Sequence, residues 1–171
     1  MRFGVVLAML LVSGGLSAQR VRAVPVHRHS GFWLSLGAGG GWDAPNLDLG
    51  AAGRGGVGYV RLGGTPDPRF LFGVELLAWQ NSADVSRGAL TATALLYPSR
   101  AGGPFLKTGF GVANYQVRGF DASGIATTVG VGVDIRLGDN FYLTPNVDGM
   151  VQFFEDDTRP LILVSLGATW H

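Results

Sequence analysis

The stretch that decides the fold is R-P-L-I-L-V-S-L-G-A-T-W-H, residues 159–171 at the end of the sequence. Successive side chains of an extended strand point to opposite faces. A soluble sandwich would use an apolar face as its core, whereas a transmembrane barrel would turn that face toward lipid. One face of this strand is uniformly apolar: Ile162, Val164, Leu166, Ala168 and Trp170. The other face carries Leu163, Ser165, Gly167, Thr169 and His171.

Seven further segments divide into two faces, and clusters of Gly, Pro, Asp and Asn separate them. In the sixth segment Val129 and Val133 share an apolar face, while Gly130 and Asp134 share the opposite one. This spacing predicts an all-β meander, and the segment lengths suit tilted membrane strands of about 9–11 residues. Eight is the smallest even strand number of outer-membrane barrels. The predicted strands span residues 31–42, 52–62, 69–80, 88–97, 104–116, 124–137, 140–153 and 160–171.

Six charged residues, three acidic and three basic, lie within these segments. The interior of an eight-stranded barrel is only wide enough for side chains to fill it. Opposite charges there must pair, because unpaired buried charges are costly. In the second segment, an inward Arg54 would turn Val57 and Tyr59 toward lipid and would place Val60 and Leu62 inside. The predicted interior salt-bridge network comprises Arg54, Glu75, Lys107, Asp134, Arg136 and Asp148.

Aromatic residues cluster near the ends of the segments. Belts of amphipathic rings at the two membrane–water interfaces anchor membrane barrels. The predicted interface aromatics are Trp42, Trp79, Tyr97, Tyr115, Phe141, Phe153 and Trp170. The segments between strands predict short periplasmic turns at 63–68, 98–103 and 138–139, and outer loops at 43–50, 81–87, 117–123 and 154–159.

The N-terminal region predicts export. Arg2 precedes an apolar run over residues 3–12, and small residues follow, so residues 1–18 are a predicted signal peptide cleaved after Ala18. Residues 19–30 are basic and aperiodic and predict a flexible periplasmic lead-in to a barrel over residues 31–171. No later stretch reaches the roughly 18 apolar residues of a membrane helix. A mature chain embedded in a membrane therefore has only a closed barrel available.

Composition excludes several classes of function. Cysteine is absent, which excludes disulfide scaffolds and thiolate metal sites. The 13 basic and 12 acidic residues nearly balance, so nucleic-acid binding has no electrostatic support. His27 and His29 lie on the predicted flexible segment and make at most a weak metal site, so no metal ligands, cofactors or catalytic residues are predicted.

The sequence resembles the small eight-stranded outer-membrane barrels of the OmpA/OmpX-like type. The features that carry the resemblance are the signal peptide, the strand count, the closing strand and two motifs. These motifs are F-L-K-T-G-F-G-V-A-N-Y (residues 105–115) and L-G-D-N-F-Y-L-T-P-N-V-D (residues 137–148). The resemblance implies residence in the cell outer membrane and recognition of the closing strand by the barrel-assembly machinery. Family members typically end in Phe, whereas this sequence ends in Trp170-His171.

The predicted function is that of a non-enzymatic, monomeric outer-membrane barrel with a structural or surface-interaction role, in contact with lipid and lipopolysaccharide. One alternative is a soluble periplasmic or secreted lipocalin-like barrel that binds a ligand in an apolar lumen. Another is a lipid A-modifying enzyme with a Ser–His pair, although Ser165 and His171 would lie roughly 20 Å apart along a strand. The acidic residues 155–157 offer either a divalent-cation site or a solvated loop.

Overall fold

A computed structural model describes residues 29–43, 53–81, 85–155 and 157–171. The predicted signal peptide and residues 19–28 of the predicted lead-in lie outside these residues, so both remain predictions. Within the described part of the chain, no helix is long and apolar enough to cross a membrane.

The alternating segments form one antiparallel sheet that closes on itself. Strands that follow each other in the chain pair with each other, except β6 and β7, and β1 also pairs with β9. β6 and β7 both pair with β8 and share one position in the wall, so the barrel has eight strand positions. The predicted eight-stranded up-and-down barrel is confirmed. The strands are β1 (Gly31–Asp43), β2 (Arg54–Asp67), β3 (Phe70–Asn81), β4 (Val85–Leu96), β5 (Pro104–Val117), β6 (Phe120–Val133), β7 (Ile135–Arg136), β8 (Phe141–Phe153) and β9 (Thr158–Trp170).

The break between β6 and β7 lies at Asp134. The facing strand β8 carries Pro145 next to this level, and proline has no N–H to donate to a sheet. On the other side of the strand, the backbone N–H of Asp134 donates to the carbonyl of Gly103, just before β5, at 2.9 Å. The interruption leaves the register of the wall unchanged, since Gly132 faces Asn146 and Ile135 faces Leu143.

The two faces of the wall differ in composition. Large apolar side chains point outward on every strand, and Phe110 and Val129 are 61% and 64% exposed to the surroundings of the barrel. The inward face holds two separate apolar clusters with charged residues between them. One cluster lies at the end that also carries His29 and His171, which we call the histidine end: Trp33, Leu71, Leu95, Tyr97 and Phe105. The other lies at the opposite end: Val57, Leu77, Trp79, Ala89, Ala113, Ala126, Met150, Leu161 and Leu163.

Two predicted connections are shorter than the sequence suggested. β2 continues through most of the predicted turn at 63–68, because its two glycines and Thr65 pair directly with β1. The predicted loop at 117–123 is a two-residue hairpin turn formed by Arg118 and Gly119. Both residues have positive φ, 44° and 84°, which is the conformation that the favoured type I′ hairpin turn requires.

Candidate functional site

Four charged side chains form a closed ring of ion pairs at mid-barrel, which we call the ionic cluster: Arg61, Glu75, Lys107 and Asp148. Arg61 pairs with Glu75 directly across the β2–β3 ladder and with Asp148 at 2.9 Å. Lys107 lies 2.7 Å from Glu75 and 3.0 Å from Asp148. All four side chains are at most 2% exposed. Two cations and two anions therefore balance inside the barrel.

Neighbouring polar side chains complete the ionic cluster. Asn146 donates to Asp148 at 2.6 Å and accepts from the Tyr59 hydroxyl at 3.1 Å. The Arg61 guanidinium stacks 3.8 Å from the centre of the Tyr59 ring. The ring fills the space beside Gly37 and Gly167, where a Cβ atom would overlap it. Glycines on the inward face thus make room for the large polar side chains opposite them.

The structure brings together only part of the predicted interior network. Glu75, Lys107 and Asp148 meet in the ionic cluster, and Asp134 is buried separately at the histidine end. The prediction is wrong for Arg54, which is exposed at the first position of β2. It is also wrong for Arg136, which is exposed where the wall ends and pairs with Asp139 at 3.3 Å.

The sequence reasoning missed Arg61 because it placed β2 in the wrong phase. An inward Arg54 was expected to turn Tyr59 outward, whereas Val57, Tyr59 and Arg61 are the buried inward residues and Val60 and Leu62 point outward. The predicted strand also ended at residue 62, one position after Arg61, whereas β2 extends to Asp67. The signal in the sequence that could have found Arg61 is its position two residues after Tyr59, which places both side chains on the same face of the strand.

A second polar cluster lies at the histidine end, and we call it the histidine cluster: His29, Asp134 and His171. The two imidazole rings stack in parallel with centroids 4.1 Å apart, and His171 Nε2 lies 3.7 Å from Asp134 Oδ2. Asp134 accepts hydrogen bonds from the Tyr97 hydroxyl at 2.6 Å and from Thr144 at 2.7 Å. One ligand atom from each of the three residues lies within 4.8 Å of the other two.

His29 is fully buried, although residues 19–30 were predicted to be a flexible lead-in. Its ring meets Tyr97 edge-on at 4.5 Å and Tyr142 at 6.0 Å. Burial, reinforced by the nearby His171, lowers the pKa of His29 to about 4. His29 is therefore neutral at neutral pH, and this part of the segment packs into the mouth of the barrel.

Polar residues at the opposite end are held by aromatic rings. Arg87 is fully buried, pairs with Asp43 and lies 5.4 Å from the Trp79 ring and 5.5 Å from the Tyr115 ring. The Arg159 guanidinium lies over the Tyr115 ring, 4.4 Å from its centre. Neither arginine was among the predicted interior or interface residues.

The predicted interface aromatics divide into two groups. Trp42, Phe141, Phe153 and Trp170 belong to the outward face, where Phe141 and Trp170 stack at 5.1 Å. The prediction is wrong for Trp79, Tyr97 and Tyr115, whose side chains are buried inside the barrel. Clustering at segment ends suggested an interface role for these three. The alternation of side chains along the strands places them inside, because Trp79 shares its face with Glu75 and Tyr115 shares its face with Lys107.

The described residues of the acidic loop, Glu155 and Asp157, are not part of a cluster of potential metal ligands. Asp157 pairs with Arg159 at 2.6 Å and Glu155 is exposed, while Asp156 lies outside the described residues. The alternative of a Ser–His pair gains no support, since no described hydrogen bond joins Ser165 to His171 and both imidazole nitrogens of His171 lack a hydrogen-bond partner among the described residues.

Comparison with solved structures identifies the architecture. Neisserial surface protein A (NspA) superposes with a TM-score of 0.64 at 17% identity, covering 82% of this chain and 97% of that one. The N-terminal β-barrel domain of Pseudomonas aeruginosa OprF gives 0.55 at 13% identity, covering 81% and 97%. Ail, the attachment invasion locus protein of Yersinia pestis, gives 0.53 at 14% identity, covering 82% and 99%. No protein-family model and no curated protein sequence matches the chain. The chain thus has the fold of small eight-stranded outer-membrane barrels.

Proposed function

We propose that this protein is a non-enzymatic barrel of the cell outer membrane with a structural or surface-interaction role. The observation that carries the proposal is the inversion of the usual globular pattern. Large apolar side chains cover the outside of every strand, and the ionic cluster is buried within. Charged residues on the outward face of the described strands lie near strand ends, as Arg54 and Asp121 do. A lipid-facing band flanked by polar rims accounts for this distribution.

A filled interior argues against a conducting or ligand-carrying lumen. Apolar clusters lie on both sides of the ionic cluster. The cavity between Arg61 and Asp134 has a volume of about 10 Å³, close to the size of a single water molecule. A lipocalin-like ligand would need several hundred Å³ of mostly apolar space. The interior packing therefore favours the membrane barrel over the soluble alternative.

Chemistry on lipid A is the less favoured role. It needs a nucleophile, a base within hydrogen-bond reach and a group that orients the base. Asp134 approaches His171, but Thr144 and Thr169 direct their hydroxyls to each other and to Asp134 and Ser35 rather than to the imidazole. We assign no catalytic residue.

The partners follow from the proposed location. The outward apolar band would contact outer-membrane lipid, and the loop rims would contact lipopolysaccharide. The alternating apolar residues of β9 and the aromatic Trp170 would be read by the barrel-assembly machinery. The names of a neisserial surface protein and of an attachment invasion locus protein among the similar structures support an interaction role at the cell surface.

Cell fractionation tests the proposal. We expect the expressed protein in the outer-membrane fraction, where it resists a urea wash. Unboiled samples in detergent should migrate differently from boiled samples on a gel, because a closed barrel stays folded until heated. A peripheral periplasmic protein of known behaviour is the control for the wash. Recovery of the protein in soluble form without detergent, with no effect of boiling, would contradict the proposal.

A further inference from the structure

We propose that the histidine cluster is a binding site for a transition-metal ion of the Zn²⁺ class. The three residues come from separate parts of the chain. His29 precedes β1, Asp134 separates β6 from β7, and His171 follows β9. The inference rests on the fold and does not depend on the proposed function.

The donor set is one that Zn²⁺ accepts. Two imidazoles and one carboxylate provide three protein ligands, and a fourth position stays free for solvent or another ligand. Among the described residues, this is the group of histidines and carboxylates whose donor atoms lie close enough together to share one ion. Borderline metals favour imidazole nitrogen, whereas Ca²⁺ and Mg²⁺ favour all-oxygen sites.

The imidazole nitrogens are the second reason. All four ring nitrogens of His29 and His171 are buried and have no hydrogen-bond partner in the described structure. Buried polar atoms in folded proteins are nearly always paired with protein, water or an ion. Two adjacent histidines with no acceptor or donor for any nitrogen are therefore a site with spare binding capacity.

The surroundings of Asp134 hold its carboxylate in place. The Tyr97 hydroxyl donates to one oxygen and Thr144 donates to the other. Thr144 lies 2.8 Å from Thr169, which donates to Ser35 at 2.8 Å. Supporting hydrogen bonds of this kind orient the carboxylate ligands of protein metal sites.

The geometry needs one modest adjustment. Metal–ligand bonds of about 2.0–2.1 Å at tetrahedral angles separate neighbouring ligand atoms by about 3.3 Å. His171 Nε2 and Asp134 Oδ2 are already 3.7 Å apart. The parallel stacking of the rings directs their lone pairs along separate planes, so one imidazole must turn about its side-chain bonds for both to reach one ion.

Metal binding to the refolded chain without a histidine tag tests the site. After treatment with a chelator, titration with Zn²⁺ should show one equivalent bound, and Co²⁺ should give the visible absorption of a four-coordinate site. Ca²⁺ and Mg²⁺ should give neither signal. His29→Ala, His171→Ala and Asp134→Asn should each weaken Zn²⁺ binding by more than the roughly 10–100-fold that changes to supporting residues cause.

Two matched variants control for unspecific effects. His27→Ala removes the only other histidine, and Asp139→Asn removes an exposed carboxylate near the same end. Both should bind Zn²⁺ as the unaltered chain does. The heat-dependent shift on a gel checks that each variant is folded. If an alanine variant does not fold, His171→Phe, which keeps a stacked ring, is used in its place. The proposal is overturned if the unaltered chain binds no Zn²⁺, if the folded ligand variants bind it equally well, or if His27→Ala abolishes binding.

Discussion

The ionic cluster and the histidine cluster lie inside the same barrel but differ in how completely their polar atoms are paired. In the ionic cluster every charged side chain contacts two oppositely charged groups, and the formal charges cancel. In the histidine cluster a single carboxylate faces two imidazoles, and the four ring nitrogens have no hydrogen-bond partner among the described residues.

This difference separates structural from binding roles. A buried network in which every charge faces two opposite charges fixes the packing around it and leaves little capacity for a ligand. Removing one member leaves a buried charge without compensation. A cluster with unpaired donors loses little when one ring is replaced, and it gains when a ligand supplies the missing contacts. Substitutions in the ionic cluster should therefore lower the stability of the protein, whereas substitutions in the histidine cluster should mainly weaken ligand binding.

The largest effect is expected for Glu75→Gln. The change keeps the volume but leaves Arg61 and Lys107 with Asp148 as their remaining carboxylate. Breaking a buried ion pair in this way costs about 3–5 kcal/mol of unfolding free energy. Urea unfolding in detergent or lipid vesicles, followed by tryptophan fluorescence, measures it. Glu155→Gln, at an exposed loop position, is the control and should be nearly neutral. Equal stability of the two variants would mean that the ionic cluster contributes little.

Sequence periodicity predicted the fold well because the outward faces repeat on every strand. Residues 124–137 and 160–171 alternate without exception in their central parts, so the lipid-side and inward residues of β6 and β9 follow directly. Parity also placed Glu75, Lys107 and Asp148 on inward faces. The partners of these residues depend on the register between strands, and the sequence alone does not provide that register.

The errors have physical causes. β2 contains five glycines, and glycine carries no side chain to mark a face, so its phase was ambiguous and Arg61 was missed. Trp79, Tyr97 and Tyr115 were assigned to the membrane interface because they lie near segment ends. Inside the barrel, Trp79 and Tyr115 instead lie near Arg87 at one end, and Tyr97 contacts His29 at the other. The histidine cluster joins residues 29, 134 and 171, and only closure of the barrel brings them together.

A paired substitution should have an intermediate effect. Glu75→Gln combined with Lys107→Met removes one charge of each sign and leaves the Arg61–Asp148 pair, which is 2.9 Å apart. The double variant should be more stable than the sum of the single effects predicts, by a coupling energy of about 0.5–3 kcal/mol. A complete cycle of urea unfolding experiments, including Lys107→Met alone, measures this energy. Strictly additive effects would show that charge balance does not determine the stability of the ionic cluster.

The smallest effect on the metal-free protein is expected for His29→Phe. Phenylalanine keeps an aromatic ring against His171 and Tyr97 and replaces buried nitrogens that have no hydrogen-bond partner. The unfolding free energy should change by no more than about 1 kcal/mol, since replacing an unsatisfied polar group by an apolar one of similar shape is nearly neutral. With Zn²⁺ at about 100 times its dissociation constant, the unaltered chain should gain about 2.7 kcal/mol. The variant should gain far less, because it has lost a ligand. Paired urea titrations with chelator and with Zn²⁺ measure both quantities. A large loss of stability in chelator would instead make His29 a structural element of the same kind as the ionic cluster.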